Sequence, residues 1–350
     1  MQVGNLLTKN AGARHDRKAD LNSNIGRGIS KGVWYGDRFV GLAGTNPSPA
    51  KTNAMFYLSI GSLGSAEDFG DLASVNGDTH GTMSTGTRGV SGGGNPGSPP
   101  YGSTKQEYWN ILSKSNAVDS NEITVARHGV SGTSNGHRGI CAAGGIPPTS
   151  YDTIDAINLV TVQDAIDYGE FGFTVNHATG VSNGNRSLNG GGWIGSLSDG
   201  LRVFSFTTHT GTATDYGELS QARSAPRGAD DGSRGVFAAG TTHPSPKVTT
   251  MDFVSINTNA SAVDFGEMVA TTWPKGAASN GNRVMSSAGD YTNKDTEFFN
   301  INTKADAVAS SDQAQTGAGR ASITDGHRGV FGGGRTGPGG FHDAMEYFQI

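Results

Sequence analysis

The chain has 350 residues, 26 of them basic and 31 acidic, for a net charge of −5. That balance offers no positive field suited to nucleic acid. Hydrophobic residues make up 34% and charged residues 16%, while Gly and Pro together supply about a fifth, below the level at which an aperiodic chain reads as disordered. Ser, Thr, Asn and Ala fill most of the remainder, so a core can be buried only by tiling many small, similar units.

In chain order, the first segment is MQVGNLLTKNAGARHDRKADL. It lacks the apolar run of a secretory signal, and nothing downstream approaches the roughly 18 apolar residues of a membrane span. The expectation is synthesis in a reducing cytoplasm without membrane insertion. Residues 1–18 are expected to form an arm, either a frayed terminus or a docking segment. The single cysteine, Cys141, excludes an intramolecular disulfide and a cysteine-based zinc site. Asn185-Arg186-Ser187 and Asn259-Ala260-Ser261 match the glycosylation sequon but carry no weight without a secretion signal.

From residue 19 onward the sequence repeats. Gly-x-Arg followed by a short apolar or small run ending in Gly recurs at Arg38, Arg88, Arg138, Arg186, Arg234, Arg283 and Arg328, with spacings of 50, 50, 48, 48, 49 and 45. Seven copies of a unit this long suggest propeller blades. Each unit reads alike. After the Gly-x-Arg strand comes a variable Gly/Pro/Ser loop, then an alternating apolar strand such as AMFYLSI, TIDAINLV or MDFVSI. A polar turn leads to a third strand, DFGDL from Asp68, DYGEF from Asp167, DYGEL from Asp215 and DFGEM from Asp264. A Ser/Gly/Asn-rich segment, expected as the fourth strand, leads to the next arginine. A further Arg precedes the anchor by eleven positions at Arg27, Arg127 and Arg223.

Short alternating strands punctuated by turn residues, with no 3.6-residue period, indicate an all-β fold. The expectation is a single seven-bladed β-propeller over residues 19–350 with four-stranded antiparallel blades. The chain stops at MEYFQI, a second strand. KADL (18–21) would then supply the last blade's third strand and Arg27 to Tyr35 its fourth, closing the ring by pairing N- and C-terminal strands and removing an exposed edge.

The copies resemble kelch repeats, with Phe69, Tyr168, Tyr216 and Phe265 where kelch units usually carry Trp. The dialect, DFG[DE]L with SNGxRGVF, is similar to kelch-like propellers among structural proteins of tailed bacteriophages. That resemblance implies a virion component with other virion proteins as partners.

The repeated arginine recurs at one place in every unit, where a catalytic residue would occur once or twice. The expectation is that it ties neighbouring strands or blades together through the acidic DFG[DE] pairs or through carbonyls, its planar fork satisfying several acceptors. The alternative is a ligand-binding ring. Three GxGxxG matches, at Gly92–Gly97, Gly190–Gly195 and Gly332–Gly337, fall at one point of the repeat and read as strand ends, since no helical pattern follows. The nine histidines are scattered, and no spacing suggests a metal site. Kelch propellers include a copper oxidase with a Cys–Tyr crosslink, but Cys141 aligns with Phe237 and Phe331 and reads as a small buried residue. No catalytic residue, cofactor or metal is expected. The loops between first and second strands vary most and carry Tyr101, Tyr151, Trp193, Tyr291 and Phe341. Aromatics there suit protein or sugar contacts, including a host-surface glycan; the other reading is that they fold back over the blade edges.

Overall fold

The computed structural model describes residues 32–350 except 36–37, 46–50, 63, 77–80, 194, 209–210, 243–245, 272–275, 288–292, 315–320, 325–326, 333–334, 338–339 and 342–343. The expected arm, KADL and Arg27 lie outside the described residues. So does Tyr291.

The described chain is a β-propeller without helices. Six sheets carry four antiparallel strands each. Blade 1 comprises Gly32–Tyr35, Arg38–Thr45, Lys51–Ser59 and Glu67–Asp71, and blade 2 comprises Gly81–Ser84, Arg88–Gly92, Ser103–Asn110 and Val118–Arg127. Blade 3 is Ser131–Ser134, Arg138–Ala142, Thr153–Asn158 and Ile166–Glu170, with the short Gly211–Thr212 added in parallel at its outer edge. Blade 4 is Thr179–Ser182, Arg186–Gly190, Gly200–Ser205 and Thr214–Glu218; blade 5 is Arg227–Asp230, Arg234–Ala238, Thr250–Ser255 and Val263–Glu267. Blade 6 is Gly276–Ser279, Arg283–Ser287, Thr296–Asn300 and Val308–Ala309. The seventh Gly-x-Arg unit forms a three-stranded sheet of Ala321–Thr324, Arg328–Gly332 and Met345–Gln349.

Two expectations are thereby corrected. The Ser/Gly/Asn segment is not the fourth strand of its own unit but the first, innermost strand of the next blade. The reason is its tight turn: Asn135 Oδ1 accepts from the backbone N–H groups of His137 (3.0 Å) and Arg138 (2.8 Å), and Gly136 takes φ +87. Such a turn makes a hairpin with the strand that follows it. Accordingly Gly32–Tyr35 pairs with Arg38–Thr45 in blade 1 instead of completing the last blade. Among the described residues there are six four-stranded blades, not seven, and no strand pairing between the two ends of the chain.

The innermost strands neighbour one another in succession, and Gly32–Tyr35 neighbours both Gly81–Ser84 and Ala321–Thr324. Small residues permit this. A Cβ on Gly132 would fall 2.9 Å from the Gly81 Cα, so the two backbones meet directly. Hydroxyls fasten the inner layer: Thr133 Oγ1 lies 2.9 Å from Ser187 Oγ, and Ser131 Oγ donates to Asn189 Oδ1 at 2.7 Å.

Apolar residues collect between blades. Phe69, Tyr168, Tyr216 and Phe265 are buried. The register between the third and outer strands shifts at Met55/Phe56, Ile154/Asp155, Leu201/Arg202 and Met251/Asp252. That bulge leaves the aromatic as the extra residue of the outer strand and turns it inward. Phe69 packs with Trp109 and Ile111 of blade 2, and Tyr168 with Phe204 and Phe206 of blade 4. The C-terminal sheet is seated in the same way on both sides. Phe331 and Phe348 pack with Ala278 and Met285 of blade 6, and Val330 with Phe39, Leu58 and Ile60 of blade 1.

Candidate functional site

The seven repeated arginines begin the second strands, on the face that carries the tight turns. Arg38 donates to the carbonyls of Ile111 (3.0 Å) and Leu112 (2.6 Å), and Arg88 to those of Leu159 (3.3 Å) and Val160 (2.6 Å). Arg138 reaches Phe206 O (2.5 Å) and the Tyr168 hydroxyl (3.1 Å), Arg186 reaches Asn257 O (3.5 Å), and Arg234 reaches Asn302 O (3.1 Å). Arg328 donates to Ile60 O (2.7 Å) and Gly61 O (3.2 Å) of blade 1. Every acceptor carbonyl belongs to the next unit, and these contacts do not use the DFG[DE] carboxylates. The guanidinium also lies over an aromatic ring: Arg38 over Tyr57, Arg88 over Tyr108, Arg138 over Tyr168, Arg234 over Phe253 and Arg283 over Phe298, at 4.6–5.3 Å. A flat cation held between a ring and one or two carbonyls joins one blade to the next.

The DFG[DE] strands form a second joint. Asp71 N donates to Asn116 Oδ1 (3.0 Å), Glu122 N to Asp164 Oδ1 (3.2 Å) and Glu267 N to Asp306 Oδ1 (3.0 Å), each acceptor lying in the polar turn of the next blade. The following Ala returns the bond, with Ala117, Ala165, Ala213, Ala262 and Ala307 N–H groups donating to Asp71, Glu122, Glu170, Glu218 and Glu267 carbonyls. The motif's glycine makes room for that turn. At Gly70, Gly217 and Gly266, φ lies between +132 and +140, and a Cβ would stand 2.6 Å from the neighbouring backbone.

A third joint was not read from the sequence. One position near the start of the third strand is acidic in five units: Glu107, Asp155, Asp252, Glu297 and Glu346. The backbone N–H groups of Ala73 (3.1 Å) and Ser74 (3.0 Å) donate to Glu107, Ser220 N (3.1 Å) to Asp252, Val269 N (2.5 Å) to Glu297 and Ala314 N (2.7 Å) to Glu346. Each donor follows the outer strand of the preceding blade. Burial pushes the Glu107 and Glu297 carboxyls above the usual range, against the pull of those N–H groups. At Asp155 and Asp252 the charge is met instead by Arg127 (2.5 Å) and Arg223 (2.8 Å), with no side chain of either pair exposed. These are two of the arginines eleven positions before the anchor. The signal was an acidic residue inside an otherwise apolar alternating strand.

The variable loops occupy the opposite face. Their bases continue the two inner strands of their own blade, through bridges of His128 with Gly145, Asn176 with Trp193 and Ser224 with Thr241. Their ends then fold into short hairpins, Gly145–Ile146 against Thr149–Ser150, Trp193 against Leu197 and Thr241 against Lys247. Tyr101 is 47% exposed, while Tyr151 and Trp193 are half-buried. These three aromatics stand on the adjacent blades 2, 3 and 4. The backbones of Trp193 and Asn176 exchange two hydrogen bonds, of 2.8 and 3.0 Å. Asn176 Nδ2 donates to Ser150 Oγ (3.0 Å), linking the loops of blades 3 and 4. Phe341 lies in the short strand Gly340–Phe341, which pairs with Arg335–Gly337.

Cys141 is buried in the second strand of blade 3 rather than the innermost one, and burial pushes its thiol up to about 12. The GxGxxG segments start at the ends of second strands, without a following helix among the described residues. Among the described residues no group of three or more His, Cys, Asp or Glu is placed to hold a metal ion. Compared with known proteins, the chain matches no family model, and no curated protein matches it.

Proposed function

We propose that this chain is a non-enzymatic structural protein of a tailed-bacteriophage virion, decorating the capsid or forming part of the tail or a fibre. Its hairpin-bearing face would contact another virion protein or the host surface. The observation that carries the reading is a division of labour. The repeated residues, Arg38 and its equivalents, the DFG[DE] strands and the buried carboxylates, are engaged in joining blades. Variation gathers in the hairpins of one face, as in scaffolds that present binding loops on a rigid frame. The likeness of its repeats to kelch-type phage propellers adds the virion. Mass spectrometry of gradient-purified particles is the test: a fixed copy number supports the role and separates capsid from tail, while absence from the particles rejects it.

A glycan-binding reading is favoured by Tyr101, Tyr151 and Trp193 on three successive blades. Aromatic rings on rigid loops suit the apolar faces of sugars. Glycan-array binding that survives Trp193→Ala, Tyr101→Ala and Tyr151→Ala together would count against it.

A further inference from the structure

Blade 6 departs from the other blades on the face it turns toward the C-terminal sheet. In blade 1 that face carries Leu42, Met55, Phe69 and Leu72, which cluster with Trp109 and Ile111 of the next blade. The equivalent residues of blade 6 are Ser287, Thr296, Ser310 and Gln313. The ladder fixes the equivalence: Ser287 is the register partner of Thr296, as Leu42 is of Met55. Gln313 N donates to Lys294 O at 2.7 Å, as Leu72 N does to Asn53 O at 2.7 Å. Blades 3, 4 and 5 keep apolar side chains or glycine at these positions, with Phe171, Leu219 and Met268 in the place of Gln313. Blade 2 is polar at Gln106 and Ser120 but keeps Ile123. Blade 6 alone is polar at all four.

Three of these polar residues are as buried as the apolar ones they replace, Ser287 at 1%, Thr296 at 0% and Gln313 at 2% exposure. Thr296 Oγ1 donates to Ser311 O. Ser287 Oγ meets no hydrogen-bond partner, and neither do Gln313 Oε1 and Nε2. Other seams hold unpaired polar atoms too, but their buried amides are bonded at one end: Gln106 Nε2 donates to Gln163 O (3.3 Å) and Asn121 Nδ2 to Asp164 Oδ1 (3.0 Å). Unpaired polar groups penalise the closed seam, because water satisfies them once it opens. The joints are also fewer. The outer strand of blade 6 is Val308–Ala309, two residues against five in blades 1, 3, 4 and 5. Arg283 lies over Phe298 but, among the described residues, donates to no carbonyl of the next unit. What holds this seam is Ala314 N on Glu346 (2.7 Å), Ser322 Oγ with Ala277 N and O (2.9 Å each), and Phe331 and Phe348 against Ala278 and Met285. On its other side the C-terminal sheet has the full arginine joint to blade 1. Arg328 donates to Ile60 O (2.7 Å) and Gly61 O (3.2 Å), Tyr347 donates to Gly64 O (2.9 Å), and Val330 packs with Phe39, Leu58 and Ile60.

We propose that the propeller ring opens reversibly between blade 6 and the C-terminal sheet, and that the sheet stays on blade 1 when it does. Opening hydrates Ser287 and Gln313, which gain the hydrogen bonds they lack in the closed ring, whereas the apolar plugs of blades 1, 3, 4 and 5 gain nothing from water. The motion is a local opening below global unfolding, set by the one seam whose buried face is polar.

The test is the rate at which a thiol reagent labels buried cysteines of the full chain in native buffer. Ser287→Cys reports the face of blade 6 that meets the C-terminal sheet, and Val330→Cys reports the face of that sheet that meets blade 1. Both positions are buried, at 1% exposure each, and both changes are small. Peptide masses separate these labels from any on the buried Cys141. The expected result is that Ser287→Cys reacts faster than Val330→Cys by on the order of tenfold or more, and that adding Gln313→Leu slows it by a similar factor, since the closed seam then buries no unpaired amide. Gln313→Met, the residue of blade 5, repeats the change should Gln313→Leu fold poorly. One common rate for the two thiols would mean that the ring opens only by unfolding, and a faster Val330→Cys would mean that the sheet leaves with blade 6; either overturns the proposal. So does a Ser287→Cys rate that both Gln313 substitutions leave unchanged or raise.

Discussion

Arg127 and Asp155 meet at 2.5 Å with neither side chain exposed. The pair is fully supported. Arg127 Nε donates to Ala143 O (2.8 Å) and Nη1 to Val125 O (3.0 Å), while Asp155 Oδ1 accepts from the Thr124 hydroxyl (2.6 Å). The homologous pair Arg223–Asp252 is less well served: Arg223 Nε and Asp252 Oδ1 meet no hydrogen-bond partner. Loss of one member of a buried pair strands the other charge and costs about 3–5 kcal/mol. Asp155→Asn and Asp252→Asn should both lower the denaturant midpoint, Asp155→Asn by more, because only there does the substitution dismantle a satisfied network. Equal losses would mean that the neighbouring carbonyls contribute nothing.

Gly217 tests the latch between blades. Its φ of +132 disfavours any side chain, and a Cβ would meet Ser261 backbone at 2.6 Å. Gly232 also has positive φ, +86, but open space around it. Backbone strain alone costs roughly 1–3 kcal/mol. Gly217→Ala should therefore lose more stability than Gly232→Ala, the difference reporting displacement of the blade 5 turn. Calorimetric unfolding of the two variants provides the comparison.

The buried carboxyls set a pH signature. Burial raises Glu107 and Glu297 above the ordinary value of 4.5, so the folded chain holds these protons more tightly than the unfolded chain. The stability they contribute is fully present below 4.5 and is lost as pH rises through the folded-state values. The difference in midpoint between the unmodified chain and Glu107→Gln should accordingly change across that window and level off above it. A difference constant with pH would show that Glu107 titrates alike in both states.

Several of these features were legible in the sequence and others were not, for identifiable reasons. Arg38 and its equivalents stood out because a Gly-x-Arg signature recurring every 45–50 residues makes seven copies visible. Phe69 and Tyr168 were legible as the aromatics at the place of the kelch Trp, but the bulge beside them, which turns them inward, was not. The phase of the repeat was misread at segments such as Ser131–Ser134. A run of Ser, Gly and Thr has no polarity pattern to say which neighbour it pairs with, and only the Asn135 turn decides. Asp155 and Glu107 escaped notice because a carboxylate in an alternating strand resembles a solvent-facing residue until the preceding blade's N–H groups are placed around it. Arg27 to Tyr35 was read as the fourth strand of the last blade because the repeat's phase was misjudged there too; Gly32–Tyr35 belongs to the hairpin with Arg38–Thr45.

Trp193 separates recognition from folding. Its backbone carries the structural bonds, exchanging hydrogen bonds with Asn176 and bridging Leu197, and its side chain is half-buried. Trp193→Ala keeps those backbone bonds, so its unfolding free energy should stay within about 1 kcal/mol of the unmodified chain. If the hairpin face is where a partner or glycan binds, the same substitution should weaken capture by on the order of tenfold or more, as truncation of a buried aromatic anchor does. Measuring both on one preparation decides the matter. Unchanged stability with lost binding assigns the indole to contact, whereas a large fall in stability assigns it to holding the loop over the blade.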